Sequence, residues 1–161
     1  SYFVWDDAME TVIVTPHDNW GHQADKRQWR PEKPMGAATL FTTIEDYARF
    51  LSAMLLTADQ AKLTTTSTQM LSPKNLEKML EPQIEIDTPF AWSLGWGLEK
   101  YEGGWYFWQW GDNPGIKHFA VGSRSRELAV VVFTNGQNGK KVYRPIIEAV
   151  LGLKLNALEN I

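Results

Sequence analysis

From Leu94 onward the apolar residues recur at every second position, with Leu94, Trp96 and Leu98 alternating with Gly95, Gly97 and Glu99. A period of two puts successive side chains on opposite faces of a strand. Glu102-Gly103-Gly104 then supplies a hairpin turn, and Trp105-Tyr106-Phe107-Trp108-Gln109-Trp110 reads as the partner strand. Alternation sends Tyr106, Trp108 and Trp110 to one face and Trp105 and Phe107 to the other. After the turn Asp112-Asn113-Pro114-Gly115, Ile116 to Val121 alternates as a third strand. Leu128-Ala129-Val130-Val131-Val132-Phe133 is apolar without a break, as in a strand covered on both faces, and this pattern predicts a place in the middle of a sheet.

Either side of these strands the period lengthens. Ile44, Tyr47, Ala48, Leu51, Met54 and Leu55 lie on one helical face that continues to about Leu56. Thr42 and Thr43 offer N-cap hydroxyls, with Glu45 and Asp46 three residues on. A polar connector, Thr64 to Thr68, leads to a second short helix capped by Ser72 and Pro73, carrying Leu76, Met79 and Leu80 before Pro82. Asn135-Gly136-Gln137-Asn138-Gly139 closes the sheet. Val142, Tyr143, Ile146, Ile147, Val150 and Leu151 stripe a last helix with Pro145 near its start. Residues 1–38 are broken by Pro16, Gly21, Pro31, Pro34 and Gly36 into loop, with one short strand predicted from Glu10 to Thr15. The class that follows is α+β, an antiparallel sheet of three or more strands flanked by helices, in a single domain spanning 1–161.

Composition narrows the chemistry. With 43% hydrophobic and 22% charged residues over 161 positions, the chain can bury a core and lacks the signature of disorder. Its 16 basic and 19 acidic residues are scattered, so nucleic acid is not an expected partner. The absence of cysteine excludes disulfides, thiolate metal sites and cysteine nucleophiles. No apolar run approaches the roughly 20 residues of a membrane span. The opening Ser1-Tyr2-Phe3-Val4-Trp5-Asp6-Asp7 has no signal-peptide pattern and reads as the start of an excised segment.

Few residues suggest reactive chemistry by themselves. His17 and His22 lie near Asp18 and Asp25, but their spacing fits no compact zinc motif, and no metal or other cofactor is expected. His118 sits in a strand pattern with no acidic neighbour in sequence, so a packed or half-exposed imidazole is expected. The tryptophan-rich strand reads first as core, with a carbohydrate- or peptide-binding platform as the alternative. Read alone, Gln109 is a polar residue on a strand with one solvated face.

Three segments carry a family resemblance over nearly the whole chain. Gly36-Ala37-Ala38-Thr39-Leu40-Phe41-Thr42-Thr43-Ile44-Glu45-Asp46-Tyr47-Ala48-Arg49-Phe50, Leu94-Gly95-Trp96-Gly97-Leu98, and Gly111-Asp112-Asn113-Pro114-Gly115 with Val130 to Asn135 resemble the C-terminal portion of the serine β-lactamase and penicillin-binding-protein-like hydrolases, especially the class C branch. The resemblance implies a β-lactamase/transpeptidase-like fold, of which this chain is a C-terminal fragment. It also implies a periplasmic or extracellular location and a small ester, amide or peptide substrate. In that family a Ser-x-x-Lys, a Tyr-x-Asn and a Lys-x-Gly or His-x-Gly build the site. Here no Ser or Thr is followed three positions on by Lys, and no Tyr two positions on by Asn or Ser.

The third motif aligns on Gln109-Trp110-Gly111, so a neutral amide replaces a cation or imidazole. The resemblance therefore implies Gln109, Trp110, Gly111 and Asp112 as site residues, with the Asp112 N–H as an oxyanion donor and Gly111 admitting substrate close to the strand. It favours an esterase, amidase or peptidase over β-lactam hydrolysis, inactive without the missing nucleophile. Because the family sheet takes further strands and a helix from its N-terminal portion, the chain is expected to expose a sheet edge or apolar face and to form a homo-oligomer or domain-exchanged dimer.

Overall fold

Thr43 and Ser72 begin two of the helices as their sequences imply. In the computed structural model, which describes residues 1–25, 30–56 and 71–160, the Thr43 hydroxyl accepts the Asp46 N–H at 3.1 Å and opens α1, Ile44–Leu55. The connector expected at 64–68 lies outside the described residues. Ser72 Oγ accepts the Asn75 N–H at 3.3 Å and Pro73 fills the first position of α2, Pro73–Leu80. The third long helix, α3, Lys140–Leu151, ends on Gly152, whose positive φ of 67° closes it by donating to the Glu148 carbonyl. Pro145 lies inside α3, where it removes one intrahelical donor. A final turn, α4, spans Ala157–Asn160.

Among the described residues six strands form one antiparallel sheet in chain order: β1 Ile84–Glu85, β2 Phe90–Trp92, β3 Gly97–Tyr101, β4 Gly104–Asn113, β5 Ile116–Ser123 and β6 Leu128–Thr134. Two-residue turns close the β3–β4 and β4–β5 hairpins, pairing Tyr101 with Gly104 and Asn113 with Ile116. The alternation along β4 is as expected. Tyr106 and Trp108 pack with Phe119, Val121 and the α3 residues Tyr143, Ile147 and Leu151, while Phe107 packs with Leu98, Ala120 and the α1 residues Leu51 and Met54. The sheet is thus a wall between two apolar layers.

Three expectations are corrected. Glu10 to Thr15 is not a strand: Asp6 Oδ1 caps a 3-10 turn at Asp7–Thr11 by accepting the Ala8 N–H at 2.8 Å. Leu94 precedes β3, because Gly95 at φ 90° turns the chain there and pairing starts only at Gly97. β6 is covered on both faces, by α1 and α3, yet it is the last strand and not a middle one. Among the described residues nothing pairs with its outer flank.

Candidate functional site

The last rung between β3 and β4 joins Gly97 to Trp108, whereas β5 accompanies β4 as far as Asn113. Residues 109–113 therefore have a strand neighbour on one flank only among the described residues. The other flank is open, and it contains all four residues implied by the sequence. Trp110 N–H donates to Gln109 Oε1 at 3.1 Å, so it points away from β5. Backbone direction repeats at every second residue, so the Asp112 N–H faces the same open flank.

Gln109 is occupied in this arrangement. Its Oε1 takes the Trp110 N–H and its Nε2 donates to the Gly95 carbonyl at 3.0 Å, so it straps the β2–β3 loop to the end of the ladder. Gly111 shares the α1-side face with Gln109. A β-carbon added there would meet His118 at an ordinary 3.5 Å, so the fold's own packing does not demand a glycine. The Asp112 side chain lies on the opposite face, paired with the Lys117 ammonium, which also donates to the Asn113 carbonyl at 3.2 Å. The Tyr143 phenol is held above its ordinary pKa, first by burial and then by the Asp112 charge.

His118 is the residue that the sequence pattern left out of the site. It is the cross-strand partner of Gly111, and counting outward from the Pro114-Gly115 turn is the signal that pairs them. The imidazole packs against Phe133 with ring centroids 4.3 Å apart and planes tilted by 35°. Its Nδ1 lies 3.1 Å from the Thr134 N–H, a donor that cannot turn away, while the Lys117 carbonyl nearby is already served by Thr134 Oγ1 at 2.7 Å. Nδ1 therefore accepts, and the neutral ring carries its proton on Nε2. Burial holds the imidazole below its ordinary pKa, with the Lys117 backbone pulling weakly the other way.

The turn below this flank is clasped by the N-terminal segment. Gly115 accepts from the His17 N–H at 3.4 Å, Gln137 Oε1 takes the Gly115 N–H at 2.8 Å, and the Gln137 N–H reaches the His17 carbonyl at 2.9 Å. His17 Nδ1 bonds the Asn135 carbonyl at 2.9 Å, and Asn135 in turn donates to Thr15. His17 is thus a clasp. His22 pairs with Asp18 at 3.2 Å, and Asp18 also caps its own turn through the Trp20 and His22 N–H groups. Among the described residues no three His, Asp or Glu side chains converge on a point where a metal could sit.

The tryptophans do not make a flat platform. Trp108 is 6% exposed and Trp110 39%, and their rings are tilted by 39°. Trp92, the third of the group, tilts by 50° to Trp110. A separate cavity of about 390 Å³ lies at the other end of β4, between α2 and Trp105, with Phe107, Leu80 and Arg124 in its wall. Gly111 is six residues further along the strand, roughly 20 Å away.

A family model described as Beta-lactamase matches residues 3–152. No curated protein and no solved structure matches the chain.

Proposed function

The chain belongs to the beta-lactamase family, and from that membership we propose that it forms one wall of a serine hydrolase site, with the nucleophile supplied by polypeptide outside this sequence. The observation that carries this reading is the open flank of β4, where the Asp112 N–H faces outward beside a glycine that packing does not require. A serine attacking an ester or amide carbonyl places a negative charge on the carbonyl oxygen. The Asp112 N–H and the backbone N–H of the serine itself are the two donors that receive it. Gln109 is the departure from a penicillin-binding-protein-like or class C site. With its amide engaged by Trp110 and Gly95, it brings no charge to a substrate carboxylate, which favours ester, amide or peptide substrates.

The same reading accounts for a second surface. The outer flank of β6 carries the uncharged run Leu128–Thr134, and Val142, Ile146 and Val150 leave an apolar stripe exposed on α3. Strands and a helix from the rest of the protein would cover both, and in the isolated chain a second copy can pair there instead. Incubating the isolated chain with nitrocefin and a p-nitrophenyl ester tests the proposal. No turnover is expected; hydrolysis that is blocked by serine reagents and unaffected by replacing Gly111 would overturn it.

A further inference from the structure

The imidazole of His118 spans two strands in a way that leaves one atom unclaimed. Its Nδ1 edge is fixed on β6 by the Thr134 N–H, and its Cδ2 edge lies over Gly111 of β4, 3.5 Å from where a β-carbon would stand. Nε2 is next to Cδ2 in the ring, on the face of the sheet that His118 shares with its cross-strand partner Gly111. It has no partner among the described residues. It is not shut away either, since the buried side-chain nitrogens without a partner are Trp108 Nε1 and Arg124 Nε.

Resting on the reading of this flank as the substrate wall, we propose that His118 Nε2–H is a preset hydrogen-bond donor to substrate lying over Gly111, suited to a neutral acyl group such as an amide or ester carbonyl. Three features set that preference. The Thr134 N–H fixes the tautomer, so the outward nitrogen arrives with a proton and needs no reorganisation. The Phe133 ring, packed at 4.3 Å and tilted by 35°, restrains the imidazole. The Lys117 ammonium, which would draw a carboxylate, lies on the opposite face and is paired with Asp112. An imidazole on β5 thus stands where it can serve a substrate over Gly111 in place of the charge that Gln109 does not bring.

Nitrogen-15 spectra of the isolated chain test this with two probes, N-acetylalanine methylamide and its carboxylate counterpart N-acetylalanine. In the free chain at about pH 7.5, the His118 imidazole is expected as the neutral Nε2–H form. The methylamide is expected to give saturable shifts at His118 Nε2 and at the Gly111 and Asp112 amides, with smaller shifts from the carboxylate. His118→Phe keeps an aromatic ring against Phe133 and removes the donor, and it is expected to weaken methylamide binding about tenfold, the loss of one neutral hydrogen bond. His118→Gln retains an N–H donor and is expected to restore part of that affinity. An Nδ1–H tautomer overturns the proposal, and that measurement needs no variant. Shifts at Gly111 and Asp112 without one at His118 overturn it while leaving the role of the β4 flank intact. Shifts at none of the three overturn both.

Discussion

Lys117 reaches from β5 to the Asp112 carboxylate at the end of β4, and the two halves of the pair live in different surroundings: the lysine side chain is 10% exposed and the aspartate 60%. Removing either partner should therefore not cost the same. Asp112→Ala leaves a largely buried lysine side chain whose ammonium keeps the Asn113 carbonyl as its remaining acceptor among the described residues, and should destabilise by about 2 kcal/mol or more. Lys117→Met leaves a carboxylate that water can reach and should cost under about 1 kcal/mol. Urea unfolding of the two variants checks the order, and equal losses would contradict it.

Gly115 has two reasons to lack a side chain. Its φ is 71°, and a β-carbon there would stand 2.7 Å from Pro16 Cβ and 2.9 Å from the His17 nitrogen. Gly115→Ala should both strain the turn and push away the segment around His17. The expected result is faster amide exchange at His17 and Gln137, whose bonds cross that contact. Gly136→Ala meets open space and should leave exchange unchanged.

Much of this architecture is readable from residue order, because its devices are local. Thr43, Ser72 and Pro73 announce helix starts through their own hydroxyls and ring, and the alternation from Trp105 to Trp110 assigns each aromatic to the correct layer. What escaped was set by partners distant in sequence. β1 and β2 are two and three residues long, too short to show a period, and exist because β3 pairs β2 and β2 in turn pairs β1. β6 is apolar on both faces because α1 and α3 cover it, which the sequence pattern does not distinguish from a central position. At the candidate site, Gln109 to Asp112 are named by resemblance alone, whereas the engagement of the Gln109 amide by Gly95 and the position of His118 over Gly111 depend on register and loop geometry.

His118 should make the fold sensitive to mild acid. Burial lowers its folded-state pKa, whereas the unfolded chain titrates near the free value of about 6.5. As pH falls below that value, the unfolded state takes up a proton that the folded state does not, so stability declines through the window down to the lowered folded pKa. Above about pH 6.5 this contribution is fully present. Urea midpoints near pH 7.5 and pH 5 should differ more for the parent chain than for His118→Gln. An identical difference in the two would show that His118 is not the group responsible.

Glu99 is fully buried and accepts from the Asn156 N–H at 2.9 Å, Asn156 Nδ2 at 2.6 Å, the Ala157 N–H at 2.9 Å and the Tyr101 hydroxyl at 2.5 Å, tying β3 to α4. Burial and then this carboxylate hold the Tyr101 phenol well above its usual pKa. Glu99→Gln sets an amide donor against other donors and should cost about 2 kcal/mol or more. Tyr101→Phe removes one donor of several and should cost about 1 kcal/mol. Thermal melts of both variants give the ranking.

The central claim is that this chain supplies the wall and the Asp112 N–H but not the attacking serine. Its most direct test is to express the chain together with its in-frame upstream coding sequence, treat the product with a fluorophosphonate, and map the adduct by mass spectrometry in the parent and in Gly111→Val. The adduct is expected on a serine of a Ser-x-x-Lys outside residues 1–161, with labelling lost when Gly111→Val places a side chain over the strand. An adduct on a serine within residues 1–161, or labelling at the parent rate in Gly111→Val, would contradict it.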